Sequence, residues 1–484
     1  MSQAKTAGRV ILAGARATAF GFVIRFGARI GFLYLAAHLF GIALFGAYSL
    51  AVAAVELAVT IGGLGAKRIL FKQLEETPDR PPIHIVLDSA LLVTAVSFAL
   101  AALFALAALL LPAGILTPNL AWALLLLAPM IAGQALLDLF CAATRWTQVI
   151  RYEVAARSIV EPYGALAFTL AAWALGWHES GLLIGYIAGT LAALAYAVFG
   201  TRRCFGPFRL GSYHLAPARI PGLFHAAGGA TLNDALNGLF GRLDLYLVGI
   251  FLGEGPAGIY NMARQIRTPV RQVRQSFDGL LNPIIARTLA LKGPGETGVA
   301  TAAAARLILA VQLPILIALA FAGMPLLASF GPGFTAGYWA LLLLAAAEMI
   351  QGAFGVSDLI LLYHRPGAQN LVTSVNIAVN IGVGVLLIAP FGVTGAAFAV
   401  VAGVGTGALV RRAALRSHFD IRTPLHYSAP PLAAAALGVG AAFAAQALLG
   451  PIAGLLAGLL TYAAALRLWL RATGETLSLG DFDA

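Results

Sequence analysis

Four arginines with helical spacing are the residues best suited to bind a ligand. Arg264, Arg267, Arg271 and Arg274 lie in the segment Tyr260–Leu281. On an α-helix their side chains fall within an arc of about 80° and form a stripe. Arginine presents a planar fork of N–H donors that matches phosphate oxygens, so the stripe predicts a site for a phosphate or pyrophosphate group.

The stripe stands in a chain with the composition of a polytopic membrane protein. Of the 484 residues, 60% are hydrophobic and 11% are charged, whereas a soluble protein has about 25% charged residues. An arginine that faces lipid costs about 2.5 to 3.5 kcal/mol. We therefore expect the stripe to face a water-filled cavity that attracts anions, or else to lie on the cytoplasmic surface. The net charge of +11 does not indicate nucleic acid, because the basic residues alternate with membrane-length apolar runs.

Apolar runs of about 20 residues predict an all-α protein with fourteen transmembrane helices. We number these predicted spans 1 to 14, at residues 16–40, 43–65, 83–111, 119–140, 153–175, 181–200, 223–251, 256–286, 301–329, 337–362, 368–389, 392–411, 428–448 and 452–471. Alternate loops carry Lys and Arg, and the loops between them carry neither. The positive-inside rule therefore places both termini in the cytoplasm.

A short internal repeat relates spans 1 and 2 to spans 7 and 8. At one constant offset, Gly46, Tyr48 and Ala51 recur as Gly258, Tyr260 and Ala263. A parallel repeat predicts two pseudo-symmetric six-helix lobes around a central cavity, at residues 1–222 and 223–427. Residues 428–484 add a C-terminal helix pair and a short cytoplasmic tail.

Span 1 carries a second pair of arginines at a depth similar to that of the stripe. Arg25 and Arg29 share one helix face, and Arg29 lies about 18 Å from the outer end of span 1. Arg264 lies about 12 Å from the outer end of span 8. We therefore expect these three arginines to hold an anion centrally, while the other stripe residues attract it from the cytoplasm.

Other polar residues in the spans are candidates for contacts to a sugar or for hydrogen bonds between helices. They are Tyr48, Asn233, Asn237, Tyr260 and Gln351. Asp234 and Glu348 are candidates for proton or cation coupling, or else for pairing with arginine. For Glu56 and Glu161 we favour pairing with arginine.

Charged residues that are close in sequence are expected to interact locally. Glu153 and Arg157 have the i,i+4 spacing of a helical ion pair. Arg242 and Asp244 are expected to form a local charge network in span 7.

Sequence signatures of enzymes are absent from the chain. It has no HExxH, no clustered Cys and His, no G-x-S-x-G and no P-loop. We therefore expect neither catalytic residues, nor a metal site, nor a cofactor.

Spans 7 and 8, RLDLYLVGIFLGEGPAGIYNMARQIR, resemble the hairpin typical of lipid-linked oligosaccharide flippases. These are the polysaccharide-transporter branch of the multidrug/oligosaccharidyl-lipid/polysaccharide exporter superfamily. The residues that carry the resemblance are Arg242, Asp244, Gly249, Gly253, Gly258, Tyr260 and Ala263. FGAYSLAVAAVELAVTIGGLGAKRIL and FGVTGAAFAVVAG are similar to other stretches that recur in the family.

The resemblance implies transport of a polyprenyl-pyrophosphate-linked glycan across the bacterial inner membrane by alternating access. It also implies that the arginines of spans 1 and 8 line the cavity. A proton gradient, a sodium gradient or the membrane potential is expected to drive transport. Expected partners are the lipid-linked glycan and membrane lipids, with a polysaccharide polymerase as a further candidate.

Three alternatives to this function stay open. Two extra C-terminal helices depart from the twelve-helix oligosaccharide type and are similar to those of fourteen-helix lipid II flippases. A multidrug/cation antiporter needs an acidic cavity, against which the arginine stripe argues. An integral-membrane glycosyltransferase normally needs a sizeable external loop, and the predicted loops are short.

Overall fold

The computed structural model describes residues 24–77, 80–112, 116–206, 235 and 238–473. Within these ranges, helices are the only regular secondary structure. The prediction of an all-α membrane protein is confirmed. By their internal contacts the residues form two compact units, Met1–Leu243 and Asp244–Ala484.

In its described part, unit 1 consists of helices packed around two apolar clusters. The helices are α1 (24–40), α2 (Gly41–Gly62), α3 (Ala66–Glu76), α4 (Pro82–Leu110), α5 (Pro118–Leu127), α6 (Met130–Trp146), α7 (151–174) and α8 (Gly181–Phe205). One cluster contains Val86 and Leu137. The other contains Val55 and Leu127. All four of these side chains are fully buried, which is the burial that their apolar helix faces require.

Unit 2 begins with helix α9, which starts at the last residue of unit 1. Its helices are α9 (Leu243–Leu252), α10 (Glu254–Ile266), α11 (268–292), α12 (294–329), α13 (Tyr338–Phe354), α14 (Asp358–His364), α15 (366–391), α16 (393–419), α17 (Ala429–Leu449) and α18 (Pro451–Thr473). Ile308 and Leu361 lie at the centre of its apolar cluster.

Glycines in the left-handed region reverse the chain at three helix junctions. Gly41, Gly293 and Gly392 have φ values of 76°, 83° and 58°, which residues with a β-carbon adopt only with strain. The helices that flank each glycine pack side by side. For example, a β-carbon added to Gly403 of α16 would lie 2.8 Å from the backbone oxygen of Asn376 in α15.

The fourteen predicted spans have helical counterparts in the described part of the chain. By length and composition, eight helices there are apolar enough to cross a membrane, and a ninth results if α5 and α6 count as one bent span. Two of the eight, Ile24–Gly62 and Gly367–Phe419, contain the reversals at Gly41 and Gly392, so each holds two predicted spans. The starts of spans 1 and 7 lie outside the described residues.

Three spans are less regular than the sequence predicted. Span 4 is bent by 43° between α5 and α6, next to Pro129. Span 8 is interrupted at Arg267, two residues before Pro269. Proline lacks the N–H that continues a helix, which accounts for both breaks. Span 10 ends in a 3₁₀ turn, Gly355–Ser357, before α14 begins.

The C-terminal helix pair packs within unit 2. The Tyr462 hydroxyl on α18 donates to the backbone oxygen of Ala310 on α12 at 2.8 Å. The Arg306 guanidinium on α12 lies 5.5 Å from the ring centre of Tyr427 and 5.4 Å from that of Trp469. The lobe boundary predicted after residue 222 falls outside the described residues.

Candidate anion-binding site

The arginine stripe lies across the junction of α10 and α11. The amide of Arg267 donates to Ala263 at 3.1 Å, and its carbonyl accepts from Val270 at 3.0 Å in a three-residue turn. The stripe is therefore carried by two helical segments, and not by the single regular helix that the sequence predicted.

Arg264 lies beside a buried carboxylate at the start of α9. Asp244 is 5% exposed, and its Oδ2 atom lies 3.5 Å from the Arg264 Nε atom. The same oxygen accepts a hydrogen bond from the Tyr260 hydroxyl at 2.8 Å. The other oxygen accepts from the Leu245 amide at 2.9 Å. Both oxygens of this carboxylate therefore have donors.

Arg267 forms an enclosed ion pair with a glutamate of α13. Its Nη1 atom lies 2.8 Å from Oε1 of Glu348 on α13, and the two side chains are only 10% and 9% exposed. The pairing of Glu348 with an arginine, one of the two alternatives that the sequence left open, is confirmed. A coupling role for Glu348 stays a prediction.

Arg274, at the cytoplasmic end of the predicted stripe, shares the carboxylate of Asp358 with Arg411. The sequence did not single out either of these two partners. The Nη1 atom of Arg274 lies 4.0 Å from Asp358 and 3.5 Å from the backbone oxygen of Gln351. Arg411 on α16 pairs with the same aspartate. A β-carbon on Gly355 would collide with the Arg274 guanidinium, so the 3₁₀ turn makes room for this cluster.

Arg271 differs from the other stripe residues. Its side chain is exposed, and within the described part of the chain it makes neither an ion pair nor a hydrogen bond. It follows Arg267 by one helical turn, so the two guanidinium groups are neighbours on one face.

The remaining predicted site residues either lie in unit 1 or fall outside the described residues. Arg25 is exposed and Arg29 is half-buried on α1 in unit 1. Tyr48 packs against Tyr186, with ring centres 6.3 Å apart. Asn233, Asp234 and Asn237 lie outside the described residues. The roles of all these residues in ligand binding stay predictions.

Unit 1 contains a second polar cluster, which the sequence did not predict as a group. Arg157 on α7 pairs with Asp138 on α6 and, at 3.0 Å, with Glu161. Gln134 donates to Glu161 at 2.7 Å and accepts from Arg157 at 2.9 Å. The only sequence signals were the i,i+4 spacing of Arg157 and Glu161 and the proline that follows Glu161.

Two predicted local interactions are wrong. Glu153 pairs with Arg145 across the α6–α7 loop, and not with Arg157. A π-helical turn, Ala156–Val160, contains Arg157 and changes the angular step between the two positions.

Arg242 and Asp244 do not share a charge network. Arg242 donates to Glu56 from its Nε atom at 3.0 Å, whereas Asp244 binds Tyr260 and Arg264. Arg242 lies in a turn before α9 and Asp244 lies in its first turn, so the two side chains do not share a helix face. The pairing favoured for Glu56 and Glu161 is confirmed.

The arrangement favours an anionic ligand in unit 2. Among the side chains that the structure describes, the cluster along the stripe contains five arginines, counting Arg411, and three carboxylates, an excess of two positive charges. Among the described residues, no group of three or more His, Cys, Asp and Glu side chains is arranged to hold a metal ion.

Comparison with known proteins adds a family and a fold. The model of a family described as polysaccharide biosynthesis protein matches residues 11–289. No curated protein matches the sequence significantly. The solved structure of the lipid II flippase MurJ, in an inward closed conformation, is 13% identical and covers 96% of this chain and 99% of its own, with a TM-score of 0.75.

A second solved structure has the same fold. It is a multidrug resistance MATE family transporter of the MOP superfamily in an inward-facing conformation, 9% identical, with a TM-score of 0.67. The alignment covers 81% of this chain and 94% of the transporter. At these identities the similarity shows a shared fold and does not identify a ligand.

Proposed function

The chain belongs to the polysaccharide biosynthesis protein family, and from this premise we propose that it flips a polyprenyl-pyrophosphate-linked oligosaccharide. The direction is from the cytoplasmic to the outer leaflet of the bacterial inner membrane, by alternating access. Family membership, many apolar helices and a fold shared with transporters support a multi-pass membrane transporter of the MOP superfamily. The ligand, its direction of movement and the cytoplasmic location of both termini are parts of the proposal.

The single observation that carries the ligand class is the excess of arginine along the stripe of unit 2. A partly dehydrated guanidinium attracts phosphate oxygens more strongly than one in bulk water does. A cationic drug would be repelled by the same charges, which argues against a multidrug/cation antiporter.

In this mechanism the protein binds and moves its ligand without changing a covalent bond. Arg271 and Arg274 attract the pyrophosphate, and Arg267 and Arg264 bind it, while the polyprenyl chain stays in the bilayer. Arg25 and Arg29 of unit 1 stay predicted ligands of the same group. Tyr48, Tyr260, Gln351, Asn233 and Asn237 stay predicted contacts of the sugar.

Substitution of Arg271 tests this function with little risk to folding. Within the described residues Arg271 forms no ion pair, so its removal leaves no carboxylate without its partner. In cells that lack their own copy of the transporter, Arg271→Ala should lower surface glycan about tenfold or more, as expected for one lost charged hydrogen bond. Surface glycan is measured at equal membrane levels of the variants.

Arg471→Ala is the matched control, because Arg471 is an exposed arginine at the end of α18, away from the stripe. It should leave glycan export unchanged. Equal export by the two variants would rule out the stripe as the ligand site.

A lipid II flippase is the second candidate, and one observation favours it. The MurJ structure covers 96% of this chain, so its similarity includes most of the C-terminal helix pair. Expression of this chain in cells depleted of their own lipid II flippase distinguishes the two candidates. The proposal expects no rescue of growth, whereas rescue would assign lipid II as the ligand.

A further inference from the structure

The buried pair of Arg267 and Glu348 is not explained by stability alone. Its Nη1–Oε1 distance is 2.8 Å and both side chains are about nine-tenths buried. Taking two charges out of water costs about as much as their attraction returns, and apolar residues in place of such a pair are often as stable. Two residues that are expensive to bury therefore point to a role in binding.

Arg271 gives a ligand access to this pair. It is exposed, lies one turn from Arg267 and makes no ion pair within the described residues. Side chains in this relation are about 5 to 6 Å apart at their β-carbons. A diphosphate carries charged oxygens on two phosphorus atoms, so it can contact both guanidinium groups at once.

The helix is interrupted at Arg267 itself. Arg267 is the last residue before α11, where Pro269 lies in the first turn. The carbonyl of Val270 accepts a hydrogen bond from the buried Gln312 of α12 at 2.9 Å, which holds the start of α11 in place. The break places Arg267 at the boundary of two helical segments, one turn before the exposed Arg271.

From these three features we propose that Glu348 is an internal competitor for the anion site. Its carboxylate holds Arg267 until a phosphate of the ligand takes its place, with Arg271 contacting the second phosphate. The inference rests on the proposed function and adds a specificity-determining residue to it.

Competition by Glu348 selects the ligand by charge. A singly charged anion attracts Arg267 about as strongly as the Glu348 carboxylate does. Such an anion therefore does not displace the glutamate. A diphosphate brings more negative charge and engages two arginines, so it can displace the carboxylate. Glu348 thereby keeps abundant small anions from the site.

Titration of the purified full-length protein in lipid nanodiscs with inorganic pyrophosphate tests the inference. Glu348→Gln removes the competing charge and should bind pyrophosphate about tenfold more tightly than the unmodified protein, as expected for a close charged pair. It should also bind acetate measurably, which the unmodified protein should not. Pyrophosphate should raise the melting temperature of this variant more than that of the unmodified protein, because it supplies the missing partner of Arg267.

Glu161→Gln is the matched control, because Glu161 also pairs with an arginine but lies in unit 1. Its pyrophosphate affinity should stay within about twofold of that of the unmodified protein. Equal or weaker binding by Glu348→Gln would overturn the inference and leave the pair as a structural one.

A second variant keeps the test decisive if Glu348→Gln does not fold. Arg267→Gln/Glu348→Gln leaves no buried charge unpaired, and it should bind pyrophosphate at least about tenfold more weakly than the unmodified protein. Unchanged affinity would overturn the inference. The proposed function is judged separately, by glycan export. If Arg271→Ala lowers export but Glu348→Gln does not change pyrophosphate binding, the inference is refuted and the proposed function is not.

Discussion

The two polar clusters of the molecule use arginine in opposite ways. In unit 1 a single arginine, Arg157, contacts Asp138, Glu161 and Gln134, so the carboxylates are in excess. In the described part of unit 2 the cluster contains five arginines and three carboxylates, and Arg271 makes neither an ion pair nor a hydrogen bond there. The first arrangement satisfies its cation internally, whereas the second has positive charge in excess, which the proposed function assigns to an anionic ligand. The balance of charge within each cluster, and not the presence of arginine, is therefore the difference on which the proposed function depends.

The largest expected effect is on the stability of unit 1. Among the described residues, Arg157 is the one cation paired with both Asp138 and Glu161. Arg157→Ala should therefore destabilise the protein by about 2 to 3 kcal/mol after allowance for partial exposure. The measurement is the apparent melting temperature in detergent. Arg271→Ala in unit 2 should change it little. If both variants melt like the unmodified protein, Arg157 is no more structural than Arg271 and the comparison fails.

A smaller effect is expected when arginine becomes lysine in unit 2. Arg267→Lys keeps a positive charge beside Glu348 but loses the planar fork, so transport should fall about tenfold while the melting temperature stays similar. Surface glycan and thermal unfolding are measured on the same preparations. Full transport by the lysine variant would mean that charge alone is sufficient, and the proposed contact between the guanidinium fork and phosphate would be abandoned.

The smallest effect is expected at the pair of Glu56 and Arg242. Both side chains are substantially exposed, 43% and 28%, so their ion pair should contribute less than about 1 kcal/mol. Glu56→Gln should therefore shift the melting temperature by much less than Arg157→Ala does. Arg157 contacts two carboxylates at similar side-chain exposure, so the expected difference comes from the number of partners. A shift of equal size would show that this number does not separate the two sites.

Much of the fold followed from local patterns in the sequence. The apolar runs predicted the helices. The predicted boundary between spans 1 and 2, at residues 40–43, coincides with the chain reversal at Gly41. Two features were missed for an identifiable reason. Pro269 lies inside an otherwise regular arginine pattern, so periodicity alone continued the helix through Arg267. The π-helical turn at Ala156–Val160 has no comparable sequence signal.

The sequence predicted only those features of the candidate site that belong to a single helix. The spacing of Arg264, Arg267 and Arg271 indicated a shared face, because side-chain direction on a helix depends on local geometry. It did not predict which arginine Glu348 would meet, or that Arg411 would share Asp358 with Arg274. Each of these contacts joins helices that are distant in sequence.

By itself, then, the sequence determined the membrane-spanning helices and an arginine-rich segment, since length, hydropathy and periodicity are properties of consecutive residues. Only the tertiary structure decided which arginines are neutralised and which keep their charge. The physical reason is that an ion pair depends on distance in space, and packing sets that distance between side chains from different helices. The charge that remains along α10 and α11 is therefore a property of the folded unit.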